Sequence, residues 1–154
     1  MLHVALVEPE IHWNTGNAGR TCLAVGATLH LVEPLGFRLD EREVKRAGLD
    51  YWPHVDVQVW PSWRAFEQEL PGLGEAYFFA TGATKVMWDV PLGGGPDVVL
   101  VFGRETVGLP QDVQERYRER LVAIPMFSPH VRSLNLSTCV ALAAYEVVRQ
   151  RRIH

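Results

Sequence analysis

Asn14, Asn17 and Arg20 stand together in NTGNAGRTC (14–22), and this short stretch holds two of the three asparagines in the whole 154-residue chain. An asparagine offers one acceptor and two donors, and an arginine a planar fork of donors, so both types suit the holding and orienting of a polar or anionic ligand. Gly16 and Gly19 would allow close backbone approach, and Asn14 or Thr15 can cap a following helix. A second cluster, GRETVGLPQD (103–112), sets Gly103 and the carboxylate of Glu105 ahead of Gly108 and Pro110. That carboxylate can accept a proton, fix Arg20 by a charge-assisted hydrogen bond, or simply favour a helix amino terminus. The third cluster, MFSPHVRSLNLS (126–137), places Ser133, Asn135 and Ser137 before a long apolar helix, where donors at a helix start bind anions or acceptors. Each cluster alone also reads as an ordinary turn or cap. One capping residue would suffice per helix, and the surplus in all three argues for one composite pocket.

The elements that must position these clusters are legible as short runs of β-branched and aliphatic residues. HVALVE (3–8), TLHLVE (28–33), DVQVW (56–60), AYFFA (76–80), DVVLVF (97–102) and LVAIP (121–125) read as strands, with helix-sized spacers between them. Continuous apolar strands such as VVLVF predict an α/β protein with one mostly parallel sheet and helices on both faces. Each polar cluster then follows a strand, and ligands in such sheets collect outside the carboxyl ends of the strands. The chain reads as a single domain, residues 1–154, with GGGP (93–96) as a loop. The last helix carries an apolar stripe of Leu136, Val140, Ala143 and Val147, and Leu142, Tyr145 and Val148 extend it around the helix. Two accounts fit that excess, a homodimer contact or ordinary burial within one chain.

Composition bounds the rest. Apolar residues are 47% and charged residues 21%, and the formal charge of −3 from 15 basic and 18 acidic residues advertises no global nucleic-acid field. Thirteen of the fifteen basic residues are arginine, and asparagine is scarce, which makes a retained asparagine more informative. Local basic faces remain: Arg42, Lys45 and Arg46 in RLDEREVKRAG (38–48), and Arg149, Arg151 and Arg152 at the end, each either a phosphate contact or a solvated helix face. No apolar run reaches the length of a membrane span, so the expectation is a cytoplasmic protein without a membrane partner. Cys22 and Cys139 read as buried thiols, and no His, Cys and carboxylate grouping has metal-ligand spacing. A dinucleotide fingerprint fails, because Gly72-Leu73-Gly74 precedes a strand and residue 77 is tyrosine. The phosphate loop and the G-x-S-x-G elbow are absent too.

NTGN-x-x-R-x-C, FG-x-ET-x-GLP and IPM…RSLNLS, in this order, resemble the three signature motifs of the SPOUT superfamily of S-adenosylmethionine-dependent RNA methyltransferases. EPE near the start, EPLGF (33–37) and RAGLDY (46–51) are similar to its TrmL-type branch, the tRNA (cytidine/uridine-2'-O-)-methyltransferases. The resemblance spans essentially the whole chain. It implies a carboxyl-terminal segment threaded into a trefoil knot, a homodimer, tRNA as partner and methylation of a ribose 2'-oxygen at the anticodon wobble position. It further implies a cofactor site lined by Ala80, Thr81, Gly82, Gly103, Ile124, Met126, Ser133 and Leu134, and RNA chemistry carried by Asn14, Arg20, Glu105, Ser133 and Asn135. A guanidinium stays protonated in proteins, so Arg20 suits a phosphate and oxyanion clamp better than a base. Two departures from the pattern stand out: one extra residue between IPM and RS, and His12-Trp13 where the branch usually shows prolines. Trp13 is left as a base-stacking residue or a packed loop residue.

Overall fold

The structure is a computed structural model that describes residues 1–39 and 50–152, so the basic run around Arg42, Lys45 and Arg46 lies outside the described residues. Its strands are β1 (Leu2–Val7), β2 (Thr28–Val32), β3 (Val57–Trp60), β4 (Glu75–Phe79), β5 (Val98–Phe102) and β6 (Leu121–Val122). Its helices are α1 (His12–Val25), α2 (Trp63–Leu73), α3 (Gln111–Arg116) and α4 (Leu136–Arg152). All six runs read as strands form one sheet in the order β3-β2-β1-β5-β4-β6, and every pairing is parallel. LVAIP is shorter than expected, ending as a strand at Val122 and continuing only as a bridge from Ala123 to Val86.

Alternation along each strand sorts the core into two layers. Val4, Leu6, Leu29, Leu31, Leu100 and Phe102 pack with Ala18 and Cys22 of α1 and with Val140, Ala143 and Val147 of α4. Ala5, Val7, Val32, Phe78, Val99 and Val101 meet Phe66 and Leu70 of α2 and Val113 of α3. Both faces of β1 and β5 are therefore dry, which is why their sequences are continuous apolar runs. Among the capping devices, Ser62 accepts from the Ala65 amide at the start of α2, and Gly26, with φ 74°, closes α1 in the left-handed conformation that glycine adopts without strain.

Two histidines are buried in this sheet. The Trp60 indole N–H donates to Nδ1 of His30 at 3.0 Å, so the His30 proton sits on Nε2 and points at Nδ1 of His3, 2.9 Å away. Burial, then repulsion from His3, pushes His30 down to about 4, and burial lowers His3 as well. A histidine depressed in the folded state stabilises fully above its unfolded value near 6.5, and that stability is lost as pH falls toward 4. Unfolding free energy measured by urea titration is expected to fall by roughly 1.4 kcal/mol per pH unit for His30 alone within that window. A flat profile from neutrality to about pH 5 would contradict the neutral pair.

Candidate functional site

The loops that follow β1, β4, β5 and β6 converge at the carboxyl ends of the strands, where the order of the sheet reverses between β1 and β5. They enclose a cavity of about 580 Å³, within the range of small-molecule sites. Phe79 and Phe102, the last residues of β4 and β5, stack at 4.8 Å as part of its lining. Of the residues singled out in the sequence, Asn14, Ala80, Thr81, Gly103, Glu105, Ile124, Met126, Ser133, Leu134 and Asn135 line this one cavity. Gly82 and Arg20 do not line it.

The asparagines explain how the loops are held. NTGN does not precede α1 as a capping loop; the helix has already begun at His12, with Ile11 as its cap residue, and Asn14 and Thr15 are buried within its first turn. The side chain that closes the helix start comes from elsewhere. Glu105 accepts from the backbone amides of Glu10 at 2.8 Å and Ile11 at 2.7 Å, an anion on a helix amino terminus supplied by the loop after β5. Asn14 Nδ2 donates to the same carboxylate at 3.3 Å, and Asn14 Oδ1 accepts from Asn135 Nδ2 at 3.0 Å. Asn135 Oδ1 in turn accepts from the amides of Ser137 and Thr138, capping α4. One continuous chain of hydrogen bonds thus ties the start of α4 to the start of α1 and to the loop after β5. Glu10 completes the stitching in the opposite direction by accepting from the Thr106 amide and hydroxyl, and these hydrogen bonds hold its carboxyl below the usual range.

Glu105 therefore does not bond Arg20. The guanidinium of Arg20 lies over the Tyr51 ring, 5.6 Å from its centroid, on the exposed side of α1. Gly16 and Gly19 also do something other than admit a ligand. The Gly16 carbonyl accepts from the Tyr51 hydroxyl, and a Cβ on Gly19 would sit 2.6 Å from the Trp52 ring, so these positions receive the segment around Tyr51 and Trp52. Gly103 is required by its own loop: a Cβ there would fall 2.1 Å from backbone atoms of Gly108 and Leu109.

Other expectations change in detail. Cys22 is buried, its thiol pushed up to about 12 by burial, but Cys139 is only half-buried and lines the cavity. Trp13 is not a packed loop residue; it stands on the first turn of α1, 53% exposed. Arg149 is engaged by Glu146 with two hydrogen bonds, and Arg151 donates to the carbonyls of Gly95 and Pro96, so the terminal cluster is neither wholly free nor simply solvated. Reading from the sequence missed Arg104, Val107, Leu109 and Arg132 on the cavity wall. The available signal was adjacency, since each neighbours or closely follows a singled-out residue on the same loop. Among the described residues no His, Cys, Asp and Glu side chains group as metal ligands, and no helix is long and apolar enough to cross a membrane.

A parallel sheet with one pocket at its carboxyl edge, walled by all three motifs, is the architecture that the comparisons with known proteins assign to a class. The chain belongs to the SpoU rRNA Methylase family, whose model matches residues 1–145. Its relatives narrow the class. The tRNA (cytidine(34)-2'-O)-methyltransferase of Burkholderia ambifaria is 45% identical over 152 residues, covering 97% of this chain and 96% of that protein. A solved structure from work on the 2-OH methylation of C/U34 on tRNA is 44% identical with a TM-score of 0.89, covering 97% of this chain and 95% of that one. The SpoU methyltransferase AviRb from Streptomyces viridochromogenes, in complex with AdoMet, shares the fold at 23% identity and a TM-score of 0.82, over 98% of this chain and 58% of that one. The SPOUT resemblance seen in the motifs is borne out by the family and by these relatives.

Proposed function

We propose that this chain, as one domain over residues 1–154, methylates the ribose 2'-oxygen of the tRNA wobble nucleotide, a cytidine or uridine, using S-adenosylmethionine in the cytoplasm. The observation that carries the reading is the pocket whose walls the three motifs share, in a chain about 45% identical over nearly its full length to a relative named for this reaction. The cavity fits the cofactor in kind: it is large enough, its apolar walls include Ile124, Met126, Leu134 and Leu109, and Ser133, Thr81 and loop backbone supply polar contacts. Ala80, Thr81, Gly82, Gly103, Ile124, Met126, Ser133 and Leu134 would hold it. When bound, S-adenosylmethionine would supply an electrophilic methyl on a sulfonium, which passes from sulfur to the ribose oxygen as that hydroxyl gives up its proton to water.

The chain's part is positioning and charge stabilisation. Glu105 already accepts from two amides and Asn14, so its oxygens are committed to holding the loops and it acts as a positioning residue. Asn14 and Asn135 are held by the same hydrogen bonds, with Ser133 beside them on the wall. Arg20 serves as the clamp on substrate phosphate or developing oxyanion.

Arg20 lies outside the pocket of its own chain, and a homodimer would supply it from a second copy. What supports this is the outer surface of the α1 and α4 pair. Trp13, Asn17, Arg20 and Leu23 form one exposed stripe of α1, and Leu142 and Tyr145 are exposed on α4, which packs beside it. The proposed trefoil knot is supported by the course of the segment before β5. Lys85 and Met87 hydrogen-bond Ala123 beyond β6, and Val90 and Gly93 bond Gln150 of α4, so this segment is engaged by the chain on both sides of the 124–135 loop.

Labelled S-adenosylmethionine, unmodified tRNA and rRNA, and nucleoside analysis of the digested product test the reading. The expected product is a 2'-O-methylated cytidine or uridine from tRNA. A base-methylated or rRNA-only product would keep the cofactor and overturn the substrate.

A further inference from the structure

Trp88 and Phe127 are large apolar side chains that the fold leaves in solvent, 55% and 86% exposed. They come from segments far apart in sequence, and the structure brings them face to face with ring planes 27° apart and centroids at 6.5 Å. That spacing differs from the direct stacks elsewhere in the molecule, 4.3 Å for Phe78 on Tyr117 and 4.8 Å for Phe79 on Phe102. The wider centroid distance makes this pair two neighbouring exposed faces, not a closed stack, and an unstacked base can lie on such faces.

Both rings adjoin residues of the fold that are themselves held, Met126 for Phe127 and Met87 for Trp88. Phe127 directly follows Met126 of the cavity wall. Trp88 sits in a helical turn, Met87–Asp89, anchored by buried Met87, whose amide donates to the Ala123 carbonyl at 2.9 Å. Arg132 of the cavity wall follows Phe127 by five positions, and Lys85, whose ammonium donates to the Glu119 carbonyl, precedes Trp88 by three. Exposed aromatics with cations beside a site are the pattern by which proteins hold unstacked bases.

We propose that Trp88 and Phe127 form a stacking platform for one unpaired base of the RNA, next to the nucleotide whose ribose enters the pocket. The inference rests on the methyltransferase reading above and adds a binding subsite to it. A loop nucleotide can reach the cavity only when its stack is opened, and a ring pair on the cavity rim would hold a neighbouring base in the opened form.

The test uses the full chain, an unmodified anticodon stem-loop RNA and S-adenosylmethionine, with each binding constant measured separately for Trp88→Ala, Phe127→Ala and the double variant. The expected result is a stem-loop Kd raised roughly 5- to 100-fold in the double variant, an unchanged cofactor Kd and an unchanged salt slope. Phe127→Tyr is expected to restore affinity, because it restores the ring. Stem-loop affinity that survives the double substitution, in a wild-type chain that methylates tRNA, overturns the platform alone. A rise in cofactor Kd without loss of RNA affinity also overturns it, since the rings would then cover the cofactor's own base. A wild-type chain that neither methylates tRNA nor binds the stem-loop overturns platform and reading together.

Discussion

Gly103→Ala is expected to abolish cofactor binding, with Kd for S-adenosylmethionine raised at least about 100-fold as the pocket wall is displaced. The new methyl would meet the Gly108 carbonyl carbon and the Leu109 nitrogen at 2.1 Å, and both obstacles are backbone. No side chain can rotate away, so the turn from Arg104 to Gly108, closed by reciprocal hydrogen bonds of 3.0 and 2.9 Å, has to move as a unit. That turn carries Glu105 and Val107 of the cavity wall and leads directly into Leu109. It also carries the carboxylate that caps α1, and loss of charge-assisted hydrogen bonds adds roughly 1.5 to 3 kcal/mol of destabilisation. Calorimetric titration with the cofactor and a thermal melt read the two effects separately. Binding within tenfold of wild type would mean that the loop after β5 does not shape the cofactor site.

Arg20→Ala is expected to lower kcat by roughly 10²- to 10³-fold, the usual cost of deleting one donor to developing charge, while cofactor affinity stays as it was. The second half of this prediction follows from position: Arg20 lies on the outer side of α1, over Tyr51, and takes no part in the cavity wall. Complementation separates a guanidinium acting within one chain from one delivered by a second copy. Two inactive preparations, Arg20→Ala and Gly103→Ala, are mixed under conditions that exchange subunits. Each mixed dimer then combines an intact pocket on one copy with an intact Arg20 on the other, and about a quarter of wild-type activity should return at random assortment. No recovery, with mixed dimers demonstrated by mass, would place Arg20 at its own chain's site. Arg20→Lys adds a chemical distinction, because near-normal methylation would remove the need for a planar, bidentate group.

The sequence by itself determined the sheet. Six apolar runs became six parallel strands, and in β1, β2 and β5, buried along their whole length, local preference and burial on both faces point the same way. It also determined that three polar clusters share one end of that sheet, since a parallel sheet sends every loop after a strand to the same edge. The motif resemblance added the family.

What each polar residue touches was decided only by the tertiary structure. Glu105 caps a helix that begins 93 positions before it in the chain, at His12, and no local pattern announces such a bond. Asn14 and Asn135 meet across 121 residues because α1 and α4 start side by side, a fact of packing instead of propensity. Arg20 shares its motif with Asn14 yet points away from the pocket, because six residues along a helix carry it to another face. Trp88 and Phe127 look like two unrelated loop residues until the chain brings the segment after β4 against the segment after β6. Spacing in sequence fixes which face of an element a residue occupies, but long-range packing sets which faces meet.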